Sequence, residues 1–144
     1  MQASMGRGAT MIELTIALAI VSAICAITIP RASGFIDRIE VRGAVTEIES
    51  LFSLARHVAI ARGGQSVLDI DTTGGVLTLS SGTEVVTSRD VGAAHGVSIE
   101  SNRTSMTYSP IGVGYGAANF SIVITRNAAV DTVIISRLGR VRHQ

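Results

Sequence analysis

Residues 9–29 read ATMIELTIALAIVSAICAITI, 21 residues with a single charge, Glu13. A helix needs about 20 apolar residues to cross a bilayer, so the length fits a span. Met1 to Gly8 carries one charge, Arg7, and the next charge after Glu13 is Arg31. A basic residue ahead of the run favours leaving the short N-terminus in the cytoplasm and sending the remainder outward. A secretory signal has an apolar core of about 7–15 residues and a small-x-small cleavage site. This run is longer, holds a carboxylate and ends in Ile29-Pro30. A lipoprotein signal built on Cys25 would place a small residue where Ile24 stands. A plain single-pass anchor fits the length but leaves Glu13 unexplained. A carboxylate costs about 2.5–3.5 kcal/mol at the centre of a bilayer and less near a helix end, so a positive partner at the same depth is expected.

The whole chain has 144 residues, enough for one domain. It is 47% hydrophobic but only 3% aromatic, with no Trp, so its core must come from Val, Ile, Leu and Ala. The net charge is +1, which gives no overall pull toward nucleic acid or anionic lipid. Every basic residue of the Lys+Arg class is Arg, so only the placement of the arginines is informative. The one cysteine, Cys25, cannot form an internal disulfide. His57, His95 and His143 lie far apart, and none has a neighbour at metal-ligand spacing. Neither a metal nor a cofactor is implied.

Beyond Pro30 the pattern becomes amphipathic. Val41, Val45, Ile48, Phe52, Ala55 and Ala59 recur at spacings of four and three, which is one helix face. Asp37, Arg38, Arg42, Glu47, Glu49 and Arg56 fall mostly off it. Gly63-Gly64 is a stop signal. One helix from about Ala9 to Arg62 is predicted, with Pro30 and Gly34 allowing a kink. Two helices with a joint at that place fit the same residues.

After Gly64 the period changes to two. Val67–Asp71 and Val76–Leu79 flank Thr72-Thr73-Gly74-Gly75 and predict a hairpin. Glu84–Thr87, Val97–Ile99, Met106–Tyr108, Asn119–Ile124 and Thr132–Ile135 are further strand candidates, with a short one at Arg140–Arg142. Short strands at regular spacing predict antiparallel sheets or a sandwich, with the helix covering one face. Asp69 and Asp71 share one face of their strand, where solvation explains them. Gly112, Gly114 and Gly116 precede a strand rather than a helix, so they mark a turned loop and not a phosphate cradle. Ser, His and Asp residues are present, but nothing orders them as a catalytic constellation, and no enzyme is predicted.

The residues from Gly8 to Glu13 resemble the processing site of type IV prepilins and type II secretion pseudopilins. The shared parts are a short basic leader, Gly8, four residues, Glu13, an apolar run and then Pro30. Ala9 stands where that family usually has Phe or Met. The resemblance implies that a prepilin peptidase cuts between Gly8 and Ala9 and methylates the new N-terminus. It further implies that Glu13 pairs with the N-terminal amine of a neighbouring subunit. A buried carboxylate facing a buried ammonium is far better than either alone, so the pair favours one axial register. The C-terminal half is similar to the GspH/FimT branch of minor pilins and pseudopilins. It has Tyr108-Ser109-Pro110-Ile111-Gly112, a glycine-rich loop, two strands, then Leu138-Gly139-Arg140-Val141.

The resulting expectation is an α+β, pilin-like chain whose long N-terminal helix packs on an antiparallel β-sheet or β-sandwich head. Residues 1–8 form a leader, 9–29 a transmembrane and filament-core helix, 30–62 its amphipathic continuation, and 63–144 the head. Implied partners are other pilins or pseudopilins, the prepilin peptidase and the bacterial inner membrane, with the head in the periplasm or outside. The implied role is structural, in a type IV pilus or type II secretion pseudopilus. Arg137, Arg140 and Arg142 crowd the C-terminus with no acid after Asp131. Gly139-Arg140-Val141-Arg142 resembles an element through which some FimT-like members bind DNA in natural transformation. Two or three arginines meeting as many phosphates predict a salt slope of only about −2 to −3. Filament display would add avidity.

Overall fold

The α-helical period up to Arg62 and the two-residue period after Gly64 are both realised. The structure is a computed structural model that describes residues 10–115, 119–136 and 141–143. Of residues 28–32, 141 and 143 it describes the backbone alone. The helix α1 runs from Met11 to Arg62, and its backbone continues through Pro30. The chain divides into two compact units, Met1–Phe35 and Ile36–Gln144.

In the first unit, α1 is apolar around its whole circumference. Ile12, Leu14, Leu18 and Ile24 are all more than half exposed. Two of its hydroxyls bond back to the helix itself. Thr15 donates to the Ile12 carbonyl at 2.8 Å and Ser22 donates to that of Leu18 at 2.8 Å. Such back-bonding satisfies a hydroxyl within its own helix.

In the second unit, α1 becomes one-sided. All six residues of the expected stripe are buried, and Ala44 and Leu51 join them. The helix ends as its glycines require. Gly63 takes φ +59°. Its amide donates to the Ile60 carbonyl, and the Gly64 amide donates to that of Ala59, both at 3.2 Å. This double closure satisfies carbonyls that would otherwise be orphaned.

Among the described residues eight strands follow: β1 (Ser66–Asp71), β2 (Val76–Ser81), β3 (Glu84–Asp90), β4 (Ser98–Ser101), β5 (Ser105–Tyr108), β6 (Phe120–Arg126), β7 (Ala129–Ile135) and β8 (Val141–His143). They form two antiparallel sheets, ordered β3-β2-β1-β5 and β4-β6-β7-β8. The β1–β2 hairpin turns through Thr72–Gly75 with Asp71 opposite Val76. Its turn is tightened by the Thr73 amide donating to Asp71 Oδ1 at 2.9 Å. Leu68 and Ile70 face inward while Asp69 and Asp71 are exposed, as alternation demands.

A short helix, α2 (Val91–His95), had not been expected from the sequence. The Asp90 carboxylate accepts from the Ala93 amide to start it, and Gly96 at φ +60° ends it. Both sheets, α2 and the second half of α1 contribute to one core, which includes Leu68, Leu77, Ile99, Phe120, Ile122 and Val133. Phe52 of α1 meets Phe120 of β6 edge to face, with ring centroids 5.3 Å apart. Ser66 is buried, and its hydroxyl donates to the Ala55 carbonyl at 2.7 Å, tying the start of β1 to the helix.

Candidate assembly site

Thr10 stands immediately before α1. Its carbonyl accepts the first helical hydrogen bond, from Leu14 at 3.1 Å. Its hydroxyl accepts from the Glu13 amide at 3.2 Å. Thr followed three residues later by Glu is the capping-box pattern, and Thr10 fills the N-cap. Glu13 is therefore in the first turn, where the helix dipole favours a negative charge. The sequence reading attributed Glu13 to an intermolecular partner alone. The local signal for this second role, Thr10-x-x-Glu13, was present and was missed.

From Met11 to Ile27 every side chain is exposed. A helix that is apolar on all faces belongs inside something, because only one stripe can be buried on a single domain. Among the described residues no helix is long and apolar enough to cross a membrane. The described side chains of this stretch stop at Ile27. Gly8 and Ala9, the expected cleavage pair, lie outside the described residues. Pro30 lies in the helical backbone of α1, and its side chain is outside them.

The segment from Tyr108 to Gly112 acquires a physical reading. The Gly112 amide donates to the Ser109 carbonyl at 2.8 Å, closing a turn with Pro110 and Ile111 at its centre. Ser109 Oγ accepts from the Val113 amide at 3.1 Å. Gly112 takes φ +77°, and a Cβ there would stand 2.7 Å from Ile60 Cδ1. The glycine thus lets the loop lie directly on α1. Tyr108 is fully buried, and burial pushes its hydroxyl up to about 12. Gly112 ends this turn and Gly114 bridges to Tyr108, while Gly116 lies outside the described residues.

The basic tail is placed only in part. β8 is an edge strand whose Arg142 lies opposite Ile134 and is exposed. Arg137 and Arg140 lie outside the described residues, so the three arginines are not brought together in the described structure.

Elsewhere, α1 collects partners from far along the chain. Arg126 Nε donates to Asp37 Oδ1 at 2.9 Å, and Asn127 Nδ2 donates to Asp37 Oδ2 at 3.0 Å. These bonds, Asn127 first and then Arg126, hold the Asp37 carboxyl below its ordinary value. Arg126 also donates to the His95 carbonyl. The His95 ring lies 2.9 Å from Glu40 and 3.2 Å from Glu47. Nothing in local spacing announces these pairs. His57 is a local feature, its Nδ1 donating to the Ser53 carbonyl at 2.7 Å. Among the described residues no group of His, Cys, Asp and Glu is arranged to hold a metal ion.

The comparisons agree with this architecture. The family described as Type II transport protein GspH matches residues 44–139, more than half of the chain. No curated protein matches the chain. Among solved structures, the type IV minor pilin FimU of Pseudomonas aeruginosa superposes with a TM-score of 0.64 at 18% identity, covering 76% of this chain and 92% of that one. The minor pseudopilin EpsH, from the Type 2 Secretion System of Vibrio cholerae, gives 0.56 at 13% identity, covering 73% and 96%. At these identities the likeness is one of fold. The match over residues 44–139 shows that this chain belongs to the family described as Type II transport protein GspH, and it shares its fold with these two structures.

Proposed function

We propose that the chain is a subunit of a type IV pilus or type II secretion pseudopilus, cut after Gly8 by a prepilin peptidase and methylated on Ala9. Residues 9–29 hold it in the bacterial inner membrane before assembly and lie in the filament core afterward. The observation that carries this reading is the first half of α1, apolar on every side, exposed along Met11–Ile27, and bearing one acid at its capped start. Such a surface is stable only when hydrocarbon or other helices cover it. Once covered, Glu13 needs a cation, and an amine at Ala9 of a neighbour supplies one without adding a side-chain charge to the core. The test is Glu13→Leu. The variant should remain in the membrane fraction and be lost from sheared filaments. Incorporation at the level of the unaltered protein would remove the pairing.

A second reading concerns the tail. Arg142 is exposed on an edge strand, on the face away from buried Val133 and Ile135. Together with Arg140 it would meet DNA phosphates and serve DNA uptake. Arg140→Ala with Arg142→Ala should abolish a gel shift that falls with salt at a slope of about −2 to −3. A shift unchanged by the double substitution would remove this reading.

A further inference from the structure

The contacts of His95 demand more protons than a neutral imidazole has. Nδ1 lies 2.9 Å from Glu40 Oε2, and Nε2 lies 3.2 Å from Glu47 Oε2. A neutral ring has one N–H, and its other nitrogen is an acceptor. Two carboxylates can both be satisfied only by the imidazolium. In the neutral ring, one lone pair would face one carboxylate.

The surroundings are built around that ring. Glu40 and Glu47 are two turns apart on α1, and Gly43 lies between them. A Cβ on Gly43 would stand 2.9 Å from the ring's Cε1, so the glycine makes the floor on which the imidazole rests. The side chains of His95, Glu40 and Glu47 are only 21%, 34% and 30% exposed, so water screens the pairs incompletely. From β6, Arg126 holds the His95 carbonyl and is itself held by Asp37 of α1. Asp90 caps the far end of α2. β2, which also packs on α2, carries no titratable residue in Val76–Ser81.

We propose that Glu40, Gly43, Glu47 and His95 form a proton-dependent latch that fastens the end of α2 to α1. The protonated ring closes it across both carboxylates. Loss of one ring proton opens one side, loosening α2, the β6–β7 turn and the first turns of α1 that follow Ile36. The sign follows from the proton count. The latch is complete while the ring holds both protons and is lost when it gives one up. It concerns residues 36–144 alone and does not depend on filament assembly.

The experiment uses the full chain in detergent micelles, with thermal unfolding followed by far-UV circular dichroism at about pH 5.5 and pH 8. Raising the pH should lower the melting temperature of the unaltered protein by roughly 3–6 °C more than that of His95→Gln. His57 and His143 are present in both chains and cancel. Gly43→Ala should flatten the profile in the same way although alanine is the better helix former, because its methyl displaces the ring. Nitrogen-15 spectra of the His95 ring in the unaltered protein give a readout that requires no variant. Both ring nitrogens should carry a proton under the condition where the melting temperature is higher, and one should be bare where it is lower. Equal pH profiles for the unaltered protein and His95→Gln, or a neutral ring at the lower pH, would overturn the latch.

Discussion

The contact between Phe52 and Phe120 offers the sharpest energetic prediction, because it joins α1 to the second sheet through two buried rings. The side chains are 2% and 0% exposed, and the ring planes meet at 63°. Truncation of either to alanine would cost about 3–5 kcal/mol. Against a total stability of about 5–15 kcal/mol, such a loss risks unfolding the chain. Leucine is the better probe, since it keeps the site apolar and removes the ring. Each single substitution should cost about 1–2 kcal/mol in lost apolar area and residual cavity. The double variant should cost less than the sum by about 0.5–1.5 kcal/mol, the part that belongs to the edge-to-face pair. Urea unfolding by far-UV circular dichroism suits a chain without Trp. Additivity within about 0.3 kcal/mol would refute the claim that these rings pack on one another.

Three further outcomes follow from the same fold. Gly112→Ala should destabilise the head by about 1–3 kcal/mol, since it places a Cβ at φ +77° and 2.7 Å from Ile60 Cδ1; a melting temperature equal to that of the unaltered protein would count against the loop lying on α1. The lowered Asp37 carboxyl makes its bonds with Asn127 and Arg126 a source of stability that is present above the ordinary carboxylate value and lost as pH falls through the folded one; Asp37→Asn should therefore reduce the acid sensitivity of unfolding, and an unchanged acid limb would show that the pairing contributes nothing. Tyr108 has the opposite sign: an unfolded tyrosine ionises near pH 10, while the buried one is pushed up to about 12. Stability should fall across that interval, and Tyr108→Phe should remove that part of the alkaline loss as followed by unfolding at stepped pH.

How much of this was legible in the sequence depends on how far apart the cooperating residues lie. The helix stripe from Val41 to Ala59 shows itself through its own spacing, and Gly63-Gly64 ends it through local backbone geometry. The β1–β2 hairpin is equally local. The helix α2 was invisible because five residues are too few to show a period, and Gly92 within it is a poor helix former. Asp90 and Gly96, its caps, were the available signal. The cluster of Asp37, Glu40, Glu47, His95 and Arg126 has no local signature at all. Its pairs are separated by 31 to 89 positions, and only the folded head brings them together on α1. At the N-terminus the composition of residues 9–29 announced an apolar helix, while the capping role of Thr10 required the hydrogen bonds to be seen.

The proposal that this is a processed filament subunit turns on one covalent event. Mass spectrometry of the native protein, taken from cells with an active prepilin peptidase, reads it directly. The mature chain should begin at Ala9, carry one added methyl group and lack residues 1–8. A chain still beginning at Met1 under those conditions would leave Glu13 without its amine and contradict the assembly mechanism.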